Sequence, residues 1–159
     1  MIVLGLDVGE RRIGVAKSDA TGLLASPVTT VLRRSDHQAI DEIGALAREY
    51  EAGLLVVGVP LSAAGEVTEQ VMRIQAFGRK LRVVPKTRVV FWDERFTTEV
   101  AQKALRAVRP RRGAPTAHRR ETERRRVDAA AAAVILQDFL DQLRGDDVQL
   151  ARGALQFEP

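Results

Sequence analysis

The feature that most constrains this chain is the run Leu54 to Val59, in which every residue is apolar or glycine before Pro60 ends it. A run this short and this apolar suits a strand covered on both faces, the position of a central strand in a parallel sheet. Such a strand needs helices on either side of it, and the flanking sequence supplies them. Ser35, with Gln38 three residues later, has the form of a capping box, and Ala39, Ile40, Ile43, Leu46, Ala47 and Tyr50 follow at helical spacing. Beyond Pro60, Val67, Val71, Ile74 and Leu81 carry a second helical stripe, and Arg88 to Trp92 forms another buried strand. Upstream, residues 2–8 and 12–18 read as a hairpin turning at Gly9, with a third, β-branched strand in 23–33. Thr97 or Thr98 caps a helix to about Val108, Pro110 to Pro115 breaks the pattern, and a last helix runs from about Thr122 to Leu143. The expected order is β-β-β-α-β-α-β-α-α, an α/β fold with a five-stranded mixed sheet flanked by helices.

With 159 residues the chain has room for one domain of the usual size, about 100 to 150 residues. We expect that domain in residues 1–143, and we read the aperiodic residues 144–159 as a tail. The first apolar run is broken by Asp7 and falls short of the roughly 20 residues that cross a bilayer, so no membrane association and a cytoplasmic location are expected. Cysteine is absent and there are only two histidines, which removes thiolate chemistry and leaves oxygen ligands for any metal. Oxygen donors favour hard cations, Mg2+ or Mn2+.

The acids fall in an informative pattern. Asp7 interrupts an apolar strand at its end, where the open edge of an α/β sheet receives ligands, although an acid at that point also serves as a turn cap. Asp93 and Glu94 end the strand at Trp92 on the same edge; successive residues of a strand point to opposite faces, so at most one of the pair turns toward Asp7. At about 100° per residue, Asp128 shares the buried arc of the last helix with Ala132, Ile135, Leu136 and Phe139, while Asp138 and Asp141 fall outside it as solvent-facing acids. A first-turn acid favoured by the helix dipole is the alternative reading of Asp128. Two carboxylates about 4 Å apart repel by around 4 kcal/mol at an effective dielectric near 20. A divalent cation removes that cost and brings phosphodiester hydrolysis without histidine or cysteine.

The net charge of +4 is unevenly spread. Residues 103–126 hold ten Lys or Arg against Glu121 and Glu123, which makes that window +8 and the remainder −4. One concentrated cationic segment on an acidic body suits contact with a phosphate backbone.

The motifs Asp7-Val8-Gly9 with Ile13-Gly14-Val15-Ala16, Gly58-Val59-Pro60-Leu61, Asp93 through Thr98, and Arg126-Val127-Asp128 followed by alanines together resemble the YqgF family, also called RuvX, of pre-16S rRNA nucleases and Holliday-junction-resolvase-like proteins. The resemblance spans about residues 1–143 and implies a ribonuclease H-like fold, Mg2+- or Mn2+-dependent hydrolysis of phosphodiester bonds, and 5′-end processing of pre-16S rRNA in ribosome biogenesis. Carried over residue by residue, Asp7, Glu94 and Asp128 match the catalytic, metal-binding acids. Asp93 and Arg95 stand beside them, and the Gly58 and Pro60 loop and the Thr97 and Thr98 turn match the lining of the same cleft; Arg95, Thr97 and Thr98, together with Arg111, Arg112, Arg119, Arg120, Arg124, Arg125 and Arg126 of the basic segment, are the expected nucleic-acid contacts. Two further functions stand beside this one: junction resolution in DNA repair, and a non-catalytic ribosome-assembly factor. The strand ending at Gly58 carries no carboxylate and Ala131 stands where a further helix acid is expected of RuvC-type resolvases, so junction cleavage is not inherited from that comparison. The expected partner is nucleic acid, bound by a monomer or a homodimer.

Overall fold

The computed structural model describes residues 1–62, 64–94, 116–144 and 154–155. Strands β1 (Ile2–Val8), β2 (Arg12–Ser18) and β3 (Ala25–Leu32) form the antiparallel meander expected from the first third of the chain. Helix α1 (Asp36–Glu49) then leads to β4 (Ala52–Val59), and helix α2 (Glu69–Lys80) leads to β5 (Arg88–Asp93). β4 lies parallel to both β1 and β5, in the interior position that its unbroken apolar run requires. Helix α3 (Ala117–Arg144) follows, and with a short sixth strand, β6 (Ala154–Leu155), the sheet order is β3-β2-β1-β4-β5-β6.

The capping box forms as expected: Gln38 N–H donates to the Ser35 hydroxyl at 3.1 Å and the Gln38 side chain returns to the cap. Two boundaries move. Helix α3 begins at Ala117 rather than near Thr122, which makes Arg119 to Arg126 helical. The segment read as a tail contributes β6 (Ala154–Leu155), paired antiparallel to Phe91 and Trp92; a strand of two residues is too short to show periodicity. The helix expected from Thr97 or Thr98 to Val108 lies outside the described residues.

The sheet separates two unlike cores. Leu4, Leu6, Val15, Leu55 and Val57 face α1 and α2, where they meet Ile43, Val71, Ile74 and Phe77. On the other face, Val3, Ala16, Val56 and Trp92 meet Ala132, Ile135, Leu136 and Phe139 of α3. Here the helix backbone comes unusually close. A methyl group added to Gly14 of β2 would lie 1.9 Å from the carbonyl oxygen of Asp128, and one added to Gly5 of β1 would lie 2.7 Å from Cβ of Leu136. Hydrogen bonds hold the crossing on its outer side: the Thr30 hydroxyl donates to the Arg125 carbonyl at 2.6 Å, and Ala25 N–H donates to the Gln137 side-chain oxygen at 2.9 Å.

Asp138 corrects the expectation of a solvent-facing acid. It is buried, and its Oδ2 accepts from the Trp92 indole N–H at 2.8 Å. The contact arc of α3 is wider than a stripe centred on Asp128, because the sheet reaches around the helix as far as β5, and the indole gives the carboxylate a donor there. Asp141 is exposed as expected and pairs with Arg144.

Candidate metal centre and nucleic-acid interface

The site begins with strand register. Asp7 pairs with Gly14 across the β1–β2 ladder, and Leu6 pairs with Val57 across β1–β4, which brings Gly58 level with Asp7 on its other side. Leu6, Val15 and Val57 belong to the α1/α2 core, so alternation turns Asp7, Gly14 and Gly58 toward α3. Asp7 thus rises from β1 between two residues that have no side chains.

Each gap is filled from elsewhere in the chain. Over Gly14 lies the backbone of α3 at Asp128, so the closest approach of helix to sheet falls at an acid. Over Gly58 lies Glu94, whose Oε1 is 2.5 Å from where a Cβ would stand, beside Ile135. Asp93 pairs with Val59 of the α1/α2 core and is fully buried. The alternative left open by the strand-end pair therefore resolves to Glu94.

Electrostatics record the convergence. Burial first, and the charge of Asp128 second, push the Asp7 carboxyl from its ordinary 3.8 up to about 6. Burial, then the charges of Asp7 and Asp93, push Glu94 from 4.5 up to about 7. Among the described residues neither acid has a cationic partner. Asp128 does: Arg12 Nε donates to its Oδ2 at 2.7 Å, with both side chains about three-quarters buried. As placed, no three of the described acids form a ready chelate, and Asp128 is turned to the guanidinium. The donor set nevertheless suits a hard divalent cation: two carboxylates short of positive charge stand beside a third that already holds one.

Arg12 is the site residue that sequence reasoning passed over. Arg11 and Arg12 both follow the Asp7-Val8-Gly9 turn, and nothing in a run of two arginines says which one meets an acid 116 residues away.

The basic residues divide. Arg119, Arg120, Arg124, Arg125 and Arg126 are exposed on the first turns of α3, on the stretch that leads directly into Asp128. Arg125 pairs with Glu121 at 3.3 Å; among the described residues the other four have no ion-pair partner. Arg95, Thr97, Thr98, Arg111 and Arg112 lie outside the described residues. A cleft of about 680 Å³ opens on the opposite face of the rim, lined by Gly9, Arg33, Arg73 and Phe77 among others. It contains none of the three acids, and two of its three arginines are already paired, Arg33 with Asp36 and Arg73 with Glu10 and Glu69.

A mixed sheet of this order, with a carboxylate on its first strand and helix α3 laid across it, is a ribonuclease H-like fold. The same fold is seen in the fowlpox virus resolvase solved with Holliday junction DNA, at a TM-score of 0.54 and 11% identity over 91% of this chain and 99% of that one. By sequence, residues 1–142 match the RuvX family model, described as Holliday junction resolvase, and the chain belongs to that family. Among its relatives is a protein of Roseiflexus sp. (strain RS-1) named "Putative pre-16S rRNA nuclease", 42% identical over 144 residues, or 89% of this chain and 95% of that protein. A Chloroflexus aggregans protein of the same name is 41% identical over 142 residues, covering 89% and 94%.

Proposed function

We propose that this chain is a divalent-metal-dependent nuclease that hydrolyses phosphodiester bonds in structured RNA, and that its substrate is the 5′ end of pre-16S rRNA in the cytoplasm. The observation that carries this reading is the convergence of Asp7, Glu94 and the backbone of Asp128 on the glycine-flanked rim of one sheet face. Pre-16S rRNA as the substrate follows from the names of the relatives and its 5′ end from the family resemblance of the sequence motifs, and no helix among the described residues is long and apolar enough to cross a membrane.

Asp7, Glu94 and Asp128 would hold Mg2+ or Mn2+. When bound, such an ion lowers the pKa of a water molecule and offsets the charge gathering on the phosphate. The protein's own part is positional. Gly14 and Gly58 keep the flanks of Asp7 clear, so oxygen donors from α3 and from the end of β5 approach it without displacing the sheet. Arg119, Arg120, Arg124 and Arg126, exposed and without an ion-pair partner among the described residues, lead along α3 to Asp128, a track for the phosphates adjoining the scissile bond. Arg95, Thr97, Thr98, Arg111 and Arg112 are proposed to extend that track on the basis of sequence.

The test is cleavage of a structured rRNA precursor and of a four-way DNA junction in Mn2+ or Mg2+, with Asp7→Asn and Asp128→Asn beside the natural chain. Loss of at least about a thousandfold in rate is expected of each variant. Activity that survives both substitutions rejects the site, and junction cleavage that outruns RNA cleavage moves the substrate to branched DNA, as the family description reads. Binding that resists chelator, with no cleavage under any condition, identifies a non-catalytic assembly factor instead.

A further inference from the structure

The ion pair between Arg12 and Asp128 has a consequence for how the metal enters. It is internal and directional: Nε, the guanidinium nitrogen within the side chain, donates to Oδ2 at 2.7 Å, and both partners are mostly withdrawn from water, with 28% and 25% of their side chains exposed. Arg12 is the first residue of β2, two positions before Gly14, and the close approach of α3 at Gly14 brings Asp128 within reach. Without Arg12, Asp128 would face Asp7 with no opposite charge from the described residues, since Asp7 and Glu94 have none to share. The guanidinium thus stands where a cation is needed, on the one acid of the three that comes from α3.

Building on the metal-dependent reading above, we propose that Arg12 is an internal counter-ion which the divalent metal must displace from Asp128. In the metal-free chain it steadies the acid cluster and holds Asp128 turned away from a three-acid chelate. Metal binding is then an exchange of one cation for another on the same carboxylate, and Arg12 lowers the affinity of the site for metal while protecting the empty fold. Arg12 acts through Asp128 as a positioning residue. A guanidinium released beside a metal-carboxylate cluster stands free for a phosphate oxygen, an acceptor that matches its geometry.

The experiment is calorimetric titration of chelator-stripped protein with MnCl2 alone, with no nucleic acid, for the natural chain, Arg12→Gln and Arg12→Lys. Removing a competing positive charge at this range is expected to tighten Mn2+ binding on the order of tenfold in Arg12→Gln, with Arg12→Lys between the two. In chelator, Arg12→Gln should melt below the natural chain, and saturating Mn2+ should raise its melting temperature by the larger increment. Equal or weaker Mn2+ affinity in a folded Arg12→Gln overturns the exchange and leaves Arg12 as a support for a ready-made ligand. Should Arg12→Gln fail to fold, the arginine Nε–H resonance of the natural chain decides: saturating Mg2+ is expected to shift it and speed its exchange with solvent, and an unmoved resonance while the Asp7 and Glu94 signals shift overturns the proposal. Absence of Mn2+ binding in the natural chain and in both variants rejects the metal-dependent reading itself, an outcome distinct from equal binding in all three.

Discussion

At the rim where β1 ends, Leu6 and Val8 point toward α1 and α2 into a core of Ile43, Val71, Ile74 and Phe77, while Asp7 between them points the other way, flanked by Gly14 and Gly58. On the first face, branched and aromatic side chains keep the helices at the distance their bulk demands. On the second, the glycines of β1 and β2 bring the α3 backbone down almost onto the strands, while Gly58 of β4 gives Glu94 and Ile135 their room. Bulk on the first face can be trimmed with a loss of stability alone. On the second face, a change in the gap between helix and sheet moves an acid, so packing and chemistry depend on the same atoms. One face carries stability alone, and the other also sets the spacing of the acids.

The strongest way to break this contrast is Gly14→Val. Its side chain would meet the Asp128 backbone, which has no rotamer by which to yield, so α3 must lift; we expect a loss of more than about 4 kcal/mol in stability. Chemical unfolding measures that loss, and Mn2+ titration of whatever remains folded should show binding abolished. A folded Gly14→Val that still binds Mn2+ normally would sink the close-approach argument. The matching change on the other face is Ile43→Ala, which opens a cavity in the α1/α2 core and should cost about 2 to 5 kcal/mol. Below its melting temperature this variant is expected to keep natural Mn2+ affinity and cleavage, and a weakened site would show that the two faces are coupled.

Next in size is the response to pH. Asp7 and Glu94 titrate near 6 and 7 in the folded chain against 3.8 and 4.5 ordinarily, so the folded state binds more protons than the unfolded state across that interval. Stability of the protein in chelator therefore falls as pH rises from about 4 to about 8 and levels off above. Thermal melts from pH 5 to 8 test the sign: a curve that rises over that range contradicts it, and Asp7→Asn should flatten the fall. The smallest expected effect is Asp138→Asn. An amide oxygen still accepts from the Trp92 indole, so stability should change by no more than about 1 kcal/mol, with little movement of the emission of Trp92, the chain's one tryptophan. A loss of several kcal/mol would mean that the buried charge itself supports the α3 face.

Particular residues show how much of this was legible in the sequence. Leu54 to Val59 announced a central parallel strand, and Ser35 with Gln38 announced the start of α1; both are local patterns, and both stand. Asp7 was marked by interrupting an apolar strand and Asp128 by its place on the buried arc of its helix, which are again local patterns. The choice of Glu94 over Asp93 was left open by alternation and came from family resemblance. The burial of Asp138 depends on an indole 46 residues away, the partner of Arg12 on a carboxylate 116 residues away, and β6 on two residues with no period to read.

By itself, then, the amino-acid order determined the first five strands, the two crossover helices and the acids at strand ends, because hydrophobic periodicity and capping act over a few residues. The tertiary structure alone decided that Glu94 lies over Gly58 and Asp128 over Gly14, and that Arg12 holds the third acid. Those facts depend on the gap between a helix and a sheet and on the register of β1 with β2 and β4, which are settled by close packing between distant parts of the chain.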